Sequence, residues 1–416
     1  MKKARLFLCI LPYFNFGGAA TLYYRMLKWS GKNGYYPILM TKNNVDFNRK
    51  WIKELEENNI HIIFYEEKFG QYHFYSDGMG NVTQELNYES IICITSSMFE
   101  YFVADQLKRN VTSSEFKIYF YVIHPLGVFY TQNKWINHVY KRWFLEPICR
   151  SGSLMFMDEE TRNNYWKLIG MQSPLNIIRL GMEIKEYSEA EILKKMKAPQ
   201  INMISICRME IPFKGYVLGL IDDFVRLQKE FSNLRLTIIG DGPEFYMVED
   251  KVKGFGTDIQ SKIELLGDVP YSELDEYIRK SYVLVGMGTT ILDGAGMGVP
   301  CCVTASYQMK DRTYGLFHNH PNILGYTLDK FCGELSTIYD DVSQILKIDQ
   351  KEYLRVCHKT YEAYKENYDI NIIMPKMGEI PISNTKMRFV IPAFFKSLRF
   401  MVEYKQKMKQ KVKGEL

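Results

Sequence analysis

The stretch that decides the fold runs from Met203 to Pro300. It contains MISICRMEIPFKGYVLGLIDDFVRLQ (203–228), LRLTIIGDGPE (234–244) and IELLGDVPYSELDEYIRKSYVLVGMGTTILDGAGMGVP (263–300). An apolar strand delivers Arg208 and Lys214 to one edge. A second strand ends at Gly240-Asp241-Gly242-Pro243 and a short third at Gly267. A buried fourth opens into the glycine-rich loop Gly286-Met287-Gly288-Thr289-Thr290, with Asp293 in the first turn of the next helix. Strands alternating with helical patterns predict parallel pairing, and ligands of such sheets sit outside the carboxyl ends of the strands. Two fixed cations and a helix start converging there offer donors and positive potential to anionic oxygens. The stretch therefore predicts a site for a nucleoside diphosphate.

At 416 residues the chain exceeds the ~250–300 residues at which single cores stop growing, so two domains are expected. Hydrophobic residues are 46% and charged residues 24%, as in a soluble globular protein, and the net charge of +5 says little about partners. Eight cysteines without a CxxC pair argue for a reducing compartment rather than a disulfide framework. The opening MKKARLFLCILPYFNFGG has a charged start, but its apolar run at 6–11 is shorter than the ~7–15 residues of a signal core. It reads as a first strand. No stretch of ~18 apolar residues predicts a membrane-spanning helix.

Outward from the deciding stretch, the first half repeats the alternation. Strands are expected at 5–12, 36–41, 61–65, 90–95, 117–123, 153–157 and 175–180. Helices are expected at 21–32, 48–58, 98–109, 135–149 and 159–169. Residues 69–88 are aromatic and glycine-rich, without a clear period. The lysine-rich segment 185–199 reads as a linker carrying a short helix, with the second half opening at about residue 200.

Each candidate residue has a bland reading beside the functional one. Arg208 or Lys214 alone would be a surface cation. Together with the neighbouring glycine loops they predict phosphate binding, Arg as a two-pronged donor and Lys as a movable charge. Such groups neutralise a diphosphate as its bond to a sugar breaks. Gly17-Gly18 gives a tight turn in either case, and would let backbone N–H groups approach a phosphate or a transferring sugar. It is not GxGxxG, so no nicotinamide cofactor is implied. Gly240, Gly242, Gly286, Gly288, Thr289 and Thr290 are expected donor-binding loop residues. Asp293 suits a helix start whatever the ligand, or accepts hydrogen bonds from ribose hydroxyls. His124, at a strand end before proline, is either structural or placed beside the donor sugar. Cys301 and Cys302 read as core. No Asp-x-Asp triplet and no zinc-spaced His/Cys cluster occurs, so no metal and no cofactor is expected, and Arg208, Lys214 and the helix start must meet the leaving-group charge.

Arg208, PFKG at 212–215, IIGDGPE, ELLGDVP and GMGTTILDGAGMGVP, in that order, resemble the C-terminal domain of group-1 (family 4) retaining glycosyltransferases of the GT-B fold. Gly17-Gly18, His124 and RLGMEI at 179–184 fall where that family places related features. The resemblance covers roughly residues 4–375. It implies two Rossmann-like α/β domains facing across a cleft, 1–184 on the acceptor side and 200–375 for the nucleotide sugar; beyond the resemblance, 376–416 reads as a basic amphipathic helix and tail. It implies metal-independent, retaining transfer of a hexose to a saccharide or a polyprenol-linked acceptor. Arg208 and Lys214 would bind the diphosphate, Gly18 would border it, His124 would lie near the sugar, and Asp293 would stand for the second glutamate of the family's pair. The sequence departs from the family at Val285, where the first glutamate is usual, and at Asp293 itself.

From residue 386 nine Lys/Arg stand against Glu403 and Glu415, a balance of 9 − 2 = +7, and apolar residues between 390 and 402 recur at helical spacing. Three readings stay open. They are a final helix packed on the first domain, an interfacial helix on an anionic membrane, and nucleic-acid binding, which the lack of aromatics past Tyr404 disfavours. The resulting expectation is a cytoplasmic hexosyltransferase of polysaccharide or glycolipid synthesis, peripheral on the inner face of the membrane and without a nucleic-acid partner. A sugar-nucleotide epimerase of the same fold and a non-catalytic glycan- or nucleotide-binding partner subunit are the rivals.

Overall fold

The structure is a computed structural model that describes residues 5–12, 18–42, 49–68, 71–75, 86, 88–111, 115–123, 134–169, 176–308, 310–326 and 334–382. Gly17, His124 and the basic tail from residue 386 lie outside the described residues.

The chain divides into two compact units, one running to Gly181 and resuming at Ile370, the other Met182–Asp369. The break therefore falls at 181/182 rather than 184, and 370–375 group with the first unit instead of the second. The reason is packing. Helix Ile370–Glu379 buries Ile370, Ile373, Met374 and Met377, Trp29 Nε1 donates to Asn371 at 3.0 Å, and the Tyr119 hydroxyl donates to the carbonyl of Ile380 at 3.2 Å. The expected linker is likewise part of the second unit. Its segment after Gly181 is held by the Tyr364 hydroxyl on the Glu183 carbonyl and the Tyr361 hydroxyl on the Lys185 carbonyl, at 2.5 and 3.2 Å.

In the first unit the elements are β1 Arg5–Ile10, α1 Gly18–Lys32, β2 Tyr35–Lys42, α2 Arg49–Glu57, β3 His61–Lys68, β4 Gln71–Tyr75, β5 Ser90–Thr95, α3 Met98–Asn110 and β6 Glu115–Val122. They continue as α4 Lys134–Tyr140, a π turn Lys141–Leu145, α5 Glu146–Ser151, β7 Leu154–Phe156 and α6 Glu159–Ile169. The sheet order is β4-β3-β2-β1-β5-β6-β7. All pairs are parallel except β3–β4. β4 is the strand that 69–88 conceals. Only Tyr72 and Phe74 are buried, with exposed residues between them, the half-buried alternation of an edge strand. The strand expected at 175–180 is reduced to one bridge, Phe156 with Ile177.

The second unit comprises α7 Glu189–Met196, β8 Ile201–Ile206, α8 Tyr216–Gln228, β9 Leu234–Ile239, α9 Phe245–Lys253, α10 Thr257–Gln260, β10 Ile263–Gly267, α11 Tyr271–Lys280 and β11 Val283–Gly286. It continues as α12 Thr289–Ala295, β12 Cys301–Thr304, β13 Arg312–Leu316, β14 Ser336–Thr337, α13 Ile338–Lys347 and α14 Gln350–Tyr368. Its sheet order is β10-β9-β8-β11-β12-β13-β14. The first five strands are parallel and the last two antiparallel. The central strands of this sheet are buried on both faces and read as apolar runs. β11 and β12 are buried at every position, Cys301 and Cys302 included.

In both sheets the winding reverses beside the first strand. In the first unit the chain leaves β1 for β2 on one side and returns to β5 on the other. In the second it leaves β8 for β9 and returns to β11. Such a reversal opens a crevice at the carboxyl ends of the two central strands, because their following helices lie on opposite faces.

Candidate functional site

Every described candidate residue lies at the carboxyl end of a parallel strand or on the loop or helix that follows it. In the second unit Arg208 and Lys214 follow β8, and Gly286–Thr290 closes β11 and opens α12, so both groups stand at the reversal. Gly240 and Gly242 follow β9, next to β8. In the first unit Gly18 opens α1, the helix that follows β1, at that sheet's reversal, and among the described residues nothing lies within 4 Å of a β-carbon placed on it.

The Arg208 loop is held by backbone rather than by its cations. Cys207 N–H donates to the carbonyl of Ile239 at 3.0 Å, Met209 N–H to that of Asp241 at 2.9 Å, and Ile211 N–H to Glu244 Oε2 at 3.1 Å. Two loops this close need glycine at the contact. A β-carbon on Gly240 would lie 2.0 Å from the Cys207 carbonyl oxygen, one on Gly242 2.3 Å from that of Met209, and Gly240 has φ +123°. The two glycines expected to touch the donor therefore first serve to lay the β9 loop against the Arg208 loop.

Arg208 is exposed and Lys214 half-buried. Among the described residues, neither side chain forms an ion pair or hydrogen bond with the protein. Burial pushes the Cys207 thiol up while the Lys214 ammonium pulls it back, which places that charge beside the end of β8. Two unneutralised cations on a backbone-braced loop can hold an anion without first breaking a protein contact.

The glycine loop differs from the expectation in one respect. Gly288, at φ +75°, donates its N–H to the Leu324 carbonyl at 2.6 Å, so this N–H is spent on the protein. The first-turn donors are those of Thr289 and Thr290, and the Thr290 hydroxyl donates back to the Met287 carbonyl at 3.1 Å. The clamp continues through Gly325, whose carbonyl accepts Ser306 N–H at 2.9 Å. It ends at Tyr326, whose hydroxyl would lie 2.4 Å from a β-carbon on Gly288. The Tyr326 ring stacks on Phe213, centroids 6.0 Å apart, and the Tyr307 ring tilts against Phe213 at 5.2 Å. An aromatic group thus flanks Lys214, which the sequence did not reveal. Its only local sign is a glycine before an aromatic at 325–326.

Asp293 is the fifth residue of α12, not in its first turn, and is buried. Its carboxylate lies 3.9 Å from Lys185 Nζ, which also holds Asp275 of α11 at 2.6 Å. Lys185 opens the lysine-rich segment 185–199 that the sequence presents as a linker. Clamping of 183–185 by Tyr364 and Tyr361 brings it to the carboxylate expected to meet the ribose. Val285, where the resembling family has a glutamate, is wholly buried in β11. Among the described residues no three His, Cys, Asp or Glu side chains converge as a metal site.

In the first unit the other flank of the reversal is the β5–α3 turn. Ser97 caps α3, and the Glu100 carboxylate accepts Ser96 N–H at 2.5 Å and Ser97 N–H at 3.1 Å, a complete capping box. Burial raises the Glu100 carboxyl to about 7, against four hydrogen bonds from Ser96 and Ser97 that lower it.

No family model and no curated protein sequence matches the chain. Solved structures do. A glycosyltransferase from Rickettsia africae is 12% identical, with a TM-score of 0.63 over 91% of this chain and 98% of that one. TarM of S. aureus, solved with fondaparinux, alpha-GlcNAc-glycerol and UDP, is 11% identical at 0.58 over 91% and 100%. Anabaena HepE, solved with UDP and glucose, is 13% identical at 0.57 over 90% and 98%. At these identities what is shared is the fold, and the fold of this chain is the two-domain α/β architecture of the GT-B glycosyltransferases.

Proposed function

We propose that the chain is a glycosyltransferase that moves a hexose from a nucleoside-diphosphate sugar to a saccharide or polyprenol-linked acceptor. The observation that carries this reading is the pair Arg208 and Lys214, whose side chains have no ion-pair or hydrogen-bond partner among the described residues, at the β8/β11 reversal of the second unit. Arg208 and Lys214 bind the diphosphate and stabilise the charge that grows on it as the sugar–oxygen bond breaks. The first-turn N–H groups of Thr289 and Thr290 add donors, and Asp293, held by Lys185, meets the ribose. His124 and the Gly17-Gly18 loop belong to the first unit, the acceptor side. Transfer is retaining and needs no metal ion, the departing phosphate taking the acceptor proton on the face it leaves. Polysaccharide or glycolipid synthesis at the inner face of a membrane, with peripheral attachment, suits a lipid-linked acceptor. UDP in the TarM and HepE structures supports a uridine donor as the first to test.

Thermal unfolding of the purified chain with UDP, GDP and ADP tests the binding step. A ligand at a hundredfold excess over its Kd adds about 2.7 kcal/mol to stability, a shift that is readily seen. Arg208→Ala and Lys214→Ala should each abolish that shift and transfer, while the ligand-free Tm stays unchanged, since neither side chain holds the fold. A Tm shift that survives in both variants would remove the reading. The buried Val285 favours one rival, a partner subunit that binds nucleotide without turnover. Binding of UDP without hydrolysis or transfer from any UDP-hexose would select it.

A further inference from the structure

Two of the chain's five tryptophans are on the surface of one short stretch of the first unit. Trp135 on α4 is 58% exposed and Trp143, in the π turn, 46%. In an unbroken α-helix, residues eight apart stand about 80° apart around the axis. Trp143 lies inside the π turn, whose wider winding narrows that angle. The cause of the turn is local. Pro147, in the first turn of α5, has no N–H to continue the ladder, and Glu146 N–H reaches back to the Lys141 carbonyl, five residues away.

The same surface is cationic. Arg142 and Arg150 are exposed in the same stretch. The stretch 134–150 has four Lys/Arg and one carboxylate, Glu146, which is already paired with Arg150 at 3.2 Å. The opposite face, Tyr140, Phe144, Leu145 and Ile148, is buried in the unit's core. The stretch is thus anchored on one side and presents aromatic and positive groups on the other. Indoles settle at the boundary between headgroups and acyl chains, and nearby cations are drawn to anionic headgroups.

We infer that the face bearing Trp135, Arg142 and Trp143 docks on a membrane surface rich in anionic lipid. The surface is distinct from the basic tail, and the inference does not depend on the donor site. Co-sedimentation of the full chain with phosphatidylcholine vesicles, with and without about one third phosphatidylglycerol, tests it. Wild type should bind the anionic vesicles with blue-shifted tryptophan emission, bind the neutral ones at least tenfold more weakly, and release in high salt. Trp135→Ala/Trp143→Ala should weaken anionic-vesicle binding at least tenfold, and Arg142→Glu should do so on anionic vesicles only. Both should keep the wild-type Tm and UDP response. Tyr246→Ala, removing an exposed aromatic of the other unit, should change nothing. Absence of binding to either vesicle overturns the inference. So does binding that survives the double tryptophan substitution but is lost when Lys405, Lys407, Lys409, Lys411 and Lys413 become serine. Binding of an anionic glycan in place of vesicles would also overturn it.

Discussion

Glu100→Gln isolates one buried charge at the edge of the first unit's crevice. Burial raises the Glu100 carboxyl from its ordinary 4.5 to about 7. The folded unit therefore binds the proton more tightly than the unfolded chain does. That contribution to stability is fully present below about pH 4.5 and is lost as pH rises through about 7. The size follows from the shift. A rise of about 2.5 pH units, 7 − 4.5, at 1.36 kcal/mol each, gives about 3 kcal/mol returned by pH 8. Glutamine serves the same position of a capping box but carries no titrating proton, so the variant should lack this slope. Denaturant unfolding at pH 5, 6, 7 and 8, followed by hydrogen exchange of the β1 and β5 amides to isolate the first unit, should show the variant gaining on wild type by about 2.5 kcal/mol from pH 5 to pH 8. A stability difference that stays constant from pH 5 to 8 would refute the reasoning.

Gly240→Ala should destabilise the second unit by roughly 2–4 kcal/mol and weaken UDP binding, because a β-carbon 2.0 Å from the Cys207 carbonyl must push the Arg208 loop aside. Melting curves with and without UDP read both effects. Lys185→Met leaves the buried Asp293 carboxylate without that cation and should cost about 1–3 kcal/mol. Asp293→Asn in the same chain should restore much of the loss in a double-mutant cycle. Tyr326→Ala should loosen the Met287–Gly288 turn and raise the KM for donor, measured by initial rates at varied UDP-hexose, more than it lowers Tm.

What the sequence disclosed and what it hid separate along the range of the interactions concerned. The central parallel strands were legible because burial on both faces leaves them largely apolar, as in β11 and β12. Their cationic and glycine loops were legible because they follow those strands directly. β4 was hidden because an edge strand of five residues shows only two buried side chains. β13 and β14 escaped because their antiparallel pairing returns the chain against the prevailing direction. Lys185 and Tyr326 escaped for a different reason. Each reaches the crevice through contacts to residues far along the chain, Lys185 to Asp275 and Asp293 and Tyr326 through the Leu324–Gly288 hydrogen bond. No spacing rule records such contacts.

Those two hidden residues bear on the departures at Val285 and Asp293. A glutamate shortened to aspartate reaches about one carbon–carbon bond less far, and an unanchored shorter carboxylate would lose its hold on a hydroxyl. Here a lysine whose own carbonyl is held by Tyr361, and whose segment is held at Glu183 by Tyr364, stands beside the aspartate, so its position is set by the protein before a ligand arrives. The missing first glutamate has no such replacement at position 285, where the side chain points into core. Three residues on, the Tyr326 hydroxyl is packed on Gly288, brought there by a separate loop. A carboxylate accepts hydrogen bonds only, whereas a phenol also donates. Exchange of one for the other at the sugar's side of the crevice would favour a donor sugar that presents an acceptor there, such as a carboxylate or an N-acetyl oxygen, over one presenting only hydroxyls. Initial rates with UDP-GlcNAc and UDP-glucuronate set against UDP-glucose, in wild type and in Tyr326→Phe, would show that preference and its loss. Equal preference in the two proteins would place the choice of sugar elsewhere.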